Sequence, residues 1–449
     1  MDRQQLTIIA SKFQSVFDAS RLNARGNDLG FCQRHRLIPP FRFGLSMAAS
    51  MASQQVHSIA DVHRDCNALW DLEVTDKAFY KQVAKPSCAE FLRTSLGDLM
   101  GKLTLKVLGF QKGQALSECN RILLQDGSSF ALHDALAQVF PGRFNAVKPA
   151  AVALHCTMDV LRDAPITIVL TPDTDCEQDY LPEPASLQGA LFLADRGYLN
   201  LTYLRDVDRH RGFFVVRAKE GLNPRVIDAY REDGKRLRSC QERDFQAIIS
   251  KLPKRQRVER IAEWLIDHQP LRLRMIVSWN KKTKSFVYLL TNLPEERYDI
   301  DTVCLLYTLR WQVELLFKEW KSYANLHAFD TTDEHIAEAL IWASLAAAAL
   351  KRFLAHATEH LLQVVMSTRK AAMSPAYVFP ELFRTLRHGD GPWFHRAFEA
   401  LIRYLGTNAK RAHPRRDERT GRARLGLKPI FELTDNTALT DNCEDRIAA

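Results

Sequence analysis

The stretch Tyr307 to Lys321, YTLRWQVELLFKEWK, holds the residues most able to do chemistry together. At roughly 100° per residue, Tyr307, Arg310, Glu314 and Lys321 fall on one face of a helix. Leu306, Leu309, Val313, Leu316 and Trp320 fall on another, the kind of stripe that packs on a sheet. Charge pairs on a solvated helix give similar spacings, so the pattern gains meaning only from two acids upstream. Asp126 closes the apolar run RILLQD (Arg121 to Asp126), and Asp195 closes LFLAD (Leu191 to Asp195). Acids at the carboxyl ends of neighbouring strands lie at the sheet edge where ligands bind. With Glu314 on a helix packed against that sheet, three carboxylates converge and repel unless a cation sits among them. Such an oxygen-only set, completed by water and phosphate, suits Mg²⁺. Two such ions could clamp the attacking and leaving oxygens of an in-line phosphoryl transfer. Arg310 and Lys321 would then hold phosphates of a nucleic acid, and Tyr307 a phosphate or sugar.

The elements that must position these groups follow from periodicity. Residues 1 to about 105 read as helical. Leu6, Ile9, Phe13, Val16 and Phe17 mark an amphipathic first helix, and Thr75 or Asp76 can cap a short helix that ends at Val83 before Pro86. That pair of short helices fits a helix-turn-helix or a plain bundle. From about residue 118 strands dominate: RILLQD, Ala150 to Val160, Ala164 to Pro172, LFLAD and Phe213 to Lys219, with a helix from Asn200 to Asp208. Residues 173–188 read as loop or frayed helix. This order describes a mixed sheet with helices on its faces, an α/β architecture. Between residues 220 and 301 lies an excursion with a helix near Val258 to Ile266 and two strands, LRLRMIVSW and SFVYLLTNLP, joined by a hairpin loop. Residues 333–430 read as a helical and basic C-terminal region, and 434–449 as a disordered tail.

Composition narrows the classes. Among the 449 residues, 46% are hydrophobic and 26% charged, as in ordinary soluble proteins. The start, MDRQQLTIIASKF, lacks the pattern of a signal peptide, and the Ala-rich run Ala339 to Leu350 is too short to span a bilayer. The 9 cysteines contain no CxxC pair, which argues against a disulfide framework or a zinc site and for a reducing cytoplasm. The net charge of +9 is concentrated: Lys410 to Lys428 carries 8 Lys and Arg against Asp417 and Glu418, and Arg231 to Arg260 carries 10 basic and 5 acidic side chains. Clustered positive charge of this kind points to a polyanion partner. Among nearby charges, Asp134, Asp159 and Asp163 are expected to be solvated, and Glu319 lies too far round the helix from Glu314 to share its site. Arg217 and Lys219 alternate onto one side of FFVVRAK, a place for contact with DNA or with solvent.

The set LLQDGSS, FLADRGY with FVVRAK, and YTLRWQVELLFKEWK resembles the DDE transposases of the insertion-sequence-four family. The Tyr, Arg, Glu and Lys spacing of that family is met by Tyr307, Arg310, Glu314 and Lys321, and the resemblance spans roughly residues 118–330. It implies a ribonuclease-H-like mixed-sheet catalytic core, with 220–301 as a β-strand insertion, flanked by helical N-terminal (1–105) and C-terminal regions. It implies that Asp126, Asp195 and Glu314 bind Mg²⁺, with Mn²⁺ as substitute and two ions in all. DNA contacts would come from Tyr307, Arg310, Lys321, Arg217, Lys219 and Arg196. The expected partners are double-stranded DNA (transposon ends and target) and a second protomer, with no membrane, in the cytoplasm at the nucleoid. The expected reaction is metal-dependent cleavage at terminal inverted repeats, followed by strand transfer. A hydrolytic nuclease on the same core and a catalytically silent DNA-binding descendant are the alternatives. In relatives a Trp at the start of the last insertion strand stacks on a flipped base. Here Val287 and Tyr288 stand near that place, with Trp279 on the preceding strand, and Tyr288 reads first as a core residue.

Overall fold

The computed structural model describes residues 1–413 and 421–433, except 35, 54–55, 112–114, 145, 253, 255–256, 375–377 and 388–390. The expected tail 434–449 and Arg415, Arg416 and Arg419 of the basic segment lie outside the described residues.

Six helices open the chain: α1 Arg3–Ser15, α2 Ala19–Asp28, α3 Pro40–Ser53, α4 Ile59–Trp70, α5 Asp76–Val83 and α6 Pro86–Lys102. Thr75 caps α5 by accepting from the Ala78 N–H, while Pro86, which needs no amide partner, begins α6. Strand β1 (Leu105–Phe110) leads to the central sheet: β2 Arg121–Ala131, β3 Ala151–Asp159, β4 Ala164–Pro172, β5 Ala190–Ala194, then α7 Leu201–Arg209 and β6 Phe213–Arg217. The excursion supplies β7 Arg225–Arg231, β8 Arg243–Asp244, α8 Phe245–Ile248, β9 Val258–Ile266, β10 Gln269–Asn280 and β11 Ser285–Thr291. Helices follow: α9 Ile300–Thr308, α10 Trp311–Tyr323, α11 Glu334–Leu362, α12 Thr368–Ala372, α13 Val378–Arg387, α14 Gly391–Asn408 and α15 Gly421–Arg424, then β12 Leu427–Leu433.

Among the described residues, all strands but β1 and β12 form one 10-stranded sheet in the order β4-β3-β2-β5-β6-β11-β10-β9-β7-β8. Strands β2, β5 and β6 are parallel, and the rest join antiparallel. The insertion is therefore continuous with the core, because β11 pairs with β6. One hydrophobic core joins one sheet face to the N-terminal helices, α9, α10, α11, α13 and α14. The 29-residue α11 runs through that layer and packs on α3 and α6. A second core lies between the other sheet face and α7 and α8. Strand β12, the end of the basic segment, pairs antiparallel with β1. No helix among the described residues is long and apolar enough to cross a membrane.

Several local expectations change. Val258–Ile266 is a strand, not a helix: β-branched and aromatic residues at its ends fit the pleat, and both β7 and β10 pair with it. The run RILLQD does not end at Asp126. Strand β2 continues to Ala131 because β3 pairs with it along its whole second half. The helix expected over Tyr307 to Lys321 is broken at Leu309 and Arg310, where the N–H groups of both residues bond three residues back. Asp159 and Asp163 are buried rather than solvated. Tyr288 is also buried, edge-on to Phe245, as expected of a core residue.

Charge is also buried inside the insertion. Arg274 is diagonal to Glu259 across the β9–β10 pair, and donates to Glu259 Oε2 at 3.1 Å, to the Leu293 carbonyl at 2.7 Å and to the Tyr298 carbonyl at 2.9 Å. It thereby fixes the chain just before α9. Removing one partner of such a pair strands the other charge away from water. Glu259→Ala is expected to cost about 3–5 kcal/mol, read as a fall in thermal midpoint. The double variant Glu259→Met/Arg274→Met should recover most of that loss, and a single variant that melts like wild type would contradict this account.

Candidate active site

Register brings the first two acids together. In the parallel β2–β5 pair Gln125 lies opposite Ala194, so Asp126 and Asp195 are the next residues on adjacent strands. Side chains alternate along a strand, which puts Asp126 on the face of Ile122 and Leu124, and Asp195 on that of Leu191 and Leu193. That is the face covered by α9 and α10. Arg217 follows Val215 onto it and brings its Nη1 to 3.8 Å from Asp195 Oδ1.

The buried stripe seats the third acid. Leu306, Leu309, Val313, Leu316 and Trp320 are all buried, each worth roughly 1.5–3 kcal/mol for a large apolar side chain. The opposite arc then meets the sheet edge. Tyr307 Oη donates to Asp195 Oδ1 at 3.1 Å. Arg310 donates through Nη1 to Asp126 Oδ2 at 3.1 Å and through Nη2 to Glu314 Oε1, bridging the two acids. Lys321 Nζ donates to the Ser129 carbonyl, further along β2. Arg196 and Lys219 are exposed beyond the ends of β5 and β6, and the structure gives them no bond to the acids.

Electrostatics follow from this packing. Burial raises the Asp126 carboxyl to about 6; Arg310 and the Gly127 N–H oppose the rise, while Glu314 and Asp195 add to it. The Gly127 N–H bonds Asp126 Oδ1 at 2.9 Å, and a Cβ at Gly127 would lie 2.9 Å from Tyr198 Oη, so a side chain there would have to displace the buried Tyr198. Burial and the Asp195 charge push the Tyr307 phenol up. Burial works against the Arg310 cation, yet Tyr307, Glu314 and Asp126 outweigh it and hold its pKa above the ordinary value.

Helix α10 is held from behind by ions that sequence reasoning had set aside. Glu319 accepts from Arg352 Nη1 of α11 at 3.1 Å. Arg352 also binds Asp163 at 2.8 Å, and Arg422 of α15 binds Asp163 at 3.0 Å and donates to Gln312 of α10. Burial would raise the Asp163 carboxyl, but Arg352, Arg422 and His356 hold it far below the usual range. Nothing in the local sequence marked these partners, which lie 189 and 259 residues from Asp163.

The donors that could hold a metal are the oxygens of Asp126, Asp195 and Glu314, a set that suits a hard divalent cation. No group of three or more His, Cys, Asp and Glu side chains among the described residues is drawn into a cluster that could hold a metal ion. Arg310, bonded to two of these acids, supplies the local positive charge instead. The donor chemistry suits such a cation, and burial keeps the Asp126 carboxyl raised even beside Arg310.

A sheet with parallel β2, β5 and β6, flanked by antiparallel strands and helices and carrying acids at β2, after β5 and on a packed helix, defines a ribonuclease-H-like nucleic-acid-processing enzyme. The chain matches the family described as Transposase DDE domain over residues 117–350 and belongs to that family. DDE enzymes of this family depend in general on divalent metal. The chain is similar to the transposase for insertion sequence element IS231C of Bacillus thuringiensis subsp. berliner, 22% identical over 77% of this chain and 79% of that protein. It is similar to the transposase for insertion sequence element IS1151 of Clostridium perfringens, 20% identical over 72% and 75%. InsL of insertion sequence element IS186A from Escherichia coli (strain K12) is 40% identical over 86 residues, 19% of this chain and 23% of that protein. The enzyme is a DDE transposase in class, in keeping with the insertion-sequence-four resemblance.

The Asp126 shift has a signed consequence. Its folded value lies above the ordinary 3.8, so the neutral acid is favoured by folding. The stability this gives is present below about pH 4 and lost as pH rises through about 6. In metal-free protein, Asp126→Asn, which mimics the neutral acid, should be more stable than wild type at pH 8 by up to about 3 kcal/mol. Thermal melts should show the gap closing between pH 6 and pH 4, and equal midpoints at pH 8 would contradict the assignment.

Proposed function

We propose that Asp126, Asp195 and Glu314 form the catalytic, cation-binding triad of a transposase that cuts at the terminal inverted repeats of its own element and transfers the freed strand ends into target DNA. The observation that carries this reading is the adjacency of Asp126 and Asp195 in register, with Arg310 bridging Asp126 to Glu314. Mg²⁺, or Mn²⁺ in its place, is the cation that suits this donor set, with two ions in all. A divalent ion held there supplies Lewis acidity to the scissile phosphate and lowers the pKa of an attacking water.

The chain's own residues do the rest. Asp126, Asp195 and Glu314 offer oxygens from three separate elements, so their spacing is set by the sheet and by the seat of α10. Once their charge is otherwise offset, Arg310 can turn from the carboxylates to a DNA phosphate from the same helix face. Tyr307, through its bond to Asp195, fixes that carboxylate's orientation and presents its ring edge to the backbone of the duplex. Arg217 and Lys321 flank the acids on either side, while Arg196 and Lys219 extend the cationic rim. Cleavage and joining use the same site, because both are phosphoryl transfers to an oxygen nucleophile. Joining two ends to one target calls for two protomers, working at the nucleoid in the cytoplasm.

The test uses a labelled duplex carrying the inverted repeat that flanks the gene, incubated with Mg²⁺ or Mn²⁺. Wild type is expected to nick at the repeat's edge and to give products covalently joined to target DNA. Asp195→Ala and Glu314→Ala should bind as wild type yet lose more than about a hundredfold in cleavage, beyond the loss of a supporting residue. Cleavage without joined products would indicate a hydrolytic nuclease, and a Glu314→Ala protein that still cuts would remove Glu314 from the triad.

A further inference from the structure

Between β2 and β3 the chain makes an excursion whose stem is fixed and whose tip is bare. Leu132, Leu136 and Phe140 are buried, and Pro141 and Ala150 form a bridge at the neck. The tip closes tightly. The Gly142 N–H bonds the Pro149 carbonyl at 2.9 Å, and the N–H groups of Val147 and Lys148 bond the Phe144 carbonyl at 2.9 and 2.8 Å. A Cβ at Gly142 would lie 2.1 Å from the Lys148 carbonyl oxygen, so only glycine allows this closure. At this tip Phe144 is 67% exposed and Val147 80%, and no large hydrophobic among the described residues is more exposed than Val147. Isolated exposed apolar residues need no explanation. Two on one braced projection, bracketed by Arg143 and Lys148, do.

The tip stands beside the candidate active site. The Arg143 N–H donates to Asp173 Oδ2 at 3.1 Å, and Asp173 accepts from Ser129 Oγ. Ser129 is the residue whose carbonyl holds Lys321. Lys148 is close enough that its charge, after burial, helps to lower the Lys321 pKa. Arg143 and Lys148 have no carboxylate partner among the described residues. Ser129 lies three residues past Asp126, about 10 Å along the strand, which is roughly three base pairs of duplex at 3.4 Å each.

We infer that Arg143, Phe144, Val147 and Lys148 form a wedge that grips double-stranded DNA a few base pairs from the point of cleavage. Arg143, Lys148 and Lys321 neutralise phosphates, while Phe144 and Val147 press on the bases or sugars between them. Charge selects the occupant: an apolar tip ringed by unpaired cations complements a polyanion with stacked apolar bases, whereas a second copy of this basic chain would be repelled. Apolar side chains set among phosphate-binding cations in this way can open a base step and bend the duplex. The inference rests on the reading of Asp126, Asp195 and Glu314 as the cleavage site.

The experiment measures binding of the repeat-bearing duplex, with 2-aminopurine placed within five base pairs of the nick, across a range of salt. Wild type should raise 2-aminopurine fluorescence on binding. Phe144→Ala should weaken binding by about tenfold or more, as loss of one base–aromatic contact does, and should lose the fluorescence rise, while Phe144→Trp restores both. The double variant Arg143→Ala/Lys148→Ala should lower the slope of log affinity against log salt by about 2, near 0.9 per phosphate. All these positions are exposed, so thermal midpoints should match wild type. Wild-type affinity, fluorescence and salt slope in both the Phe144→Ala and the double variants would overturn the inference. So would a change in oligomeric state with unchanged DNA affinity, which would assign the tip to a contact between copies. Failure of wild type to nick the duplex in metal would instead count against the triad, since binding at the tip is read without cleavage.

Discussion

A carboxylate buried beside other acids is costly to keep charged, and the site is arranged around offsetting that cost. Asp126 lies buried beside Glu314 and Asp195, and its carboxyl is held near 6 even with a guanidinium bonded to it. Between α9 and α10 the N–H groups of Leu309 and Arg310 bond three residues back, and from there Arg310 bridges Asp126 on the sheet and Glu314 one turn along α10. The bridge and the elevated carboxyl belong to one electrostatic arrangement, in which burial and neighbouring acids raise Asp126 and Arg310 opposes them.

Holding α10 at the right height takes a second set of charges, on the far side of the helix. Glu319 and Gln312 are tied to Arg352 and Arg422, and both arginines converge on Asp163 at the β3–β4 turn. Asp163 occupies left-handed backbone at φ 49°, a conformation more accessible to Asp than to bulky residues. Buried ion pairs add little net stability, yet breaking one is costly, so such a network fixes geometry more than it raises stability. It also links the helix bearing Glu314 to the C-terminal segment, whose β12 is sewn to β1 near the end of the N-terminal helices. The helical regions at the two ends of the chain thereby share one core with the catalytic sheet.

The insertion illustrates how context overrides local pattern. Val258–Ile266 carries apolar residues at spacings compatible with either period, and only its two neighbours, β7 and β10, decide for a strand. The same applies to β2. Its apolar half ends at Asp126, but hydrogen bonding to β3 carries it through Gly127, Ser128 and Ser129, residues with little strand preference of their own. That continuation places the Ser129 carbonyl under Lys321 and supports the projecting tip beyond it.

The sequence by itself determined the alternation of strands and helices around Asp126 and Asp195, and the separation of the α9–α10 region into an apolar stripe and a polar arc. Those features are local: a period of two or of 3.6 and a run of residues suffice to read them. The stripe of Leu306, Leu309, Val313, Leu316 and Trp320 is buried as its spacing requires. Only the tertiary structure decided that Asp159, Asp163 and Glu319 are buried, that Arg310 faces carboxylates, and that Arg352 and Arg422 meet Asp163 from across the chain. The physical reason is that a charge's environment depends on what folding brings within a few ångströms. Neither residue type nor spacing along the chain records whether that neighbour is water, a guanidinium or another acid.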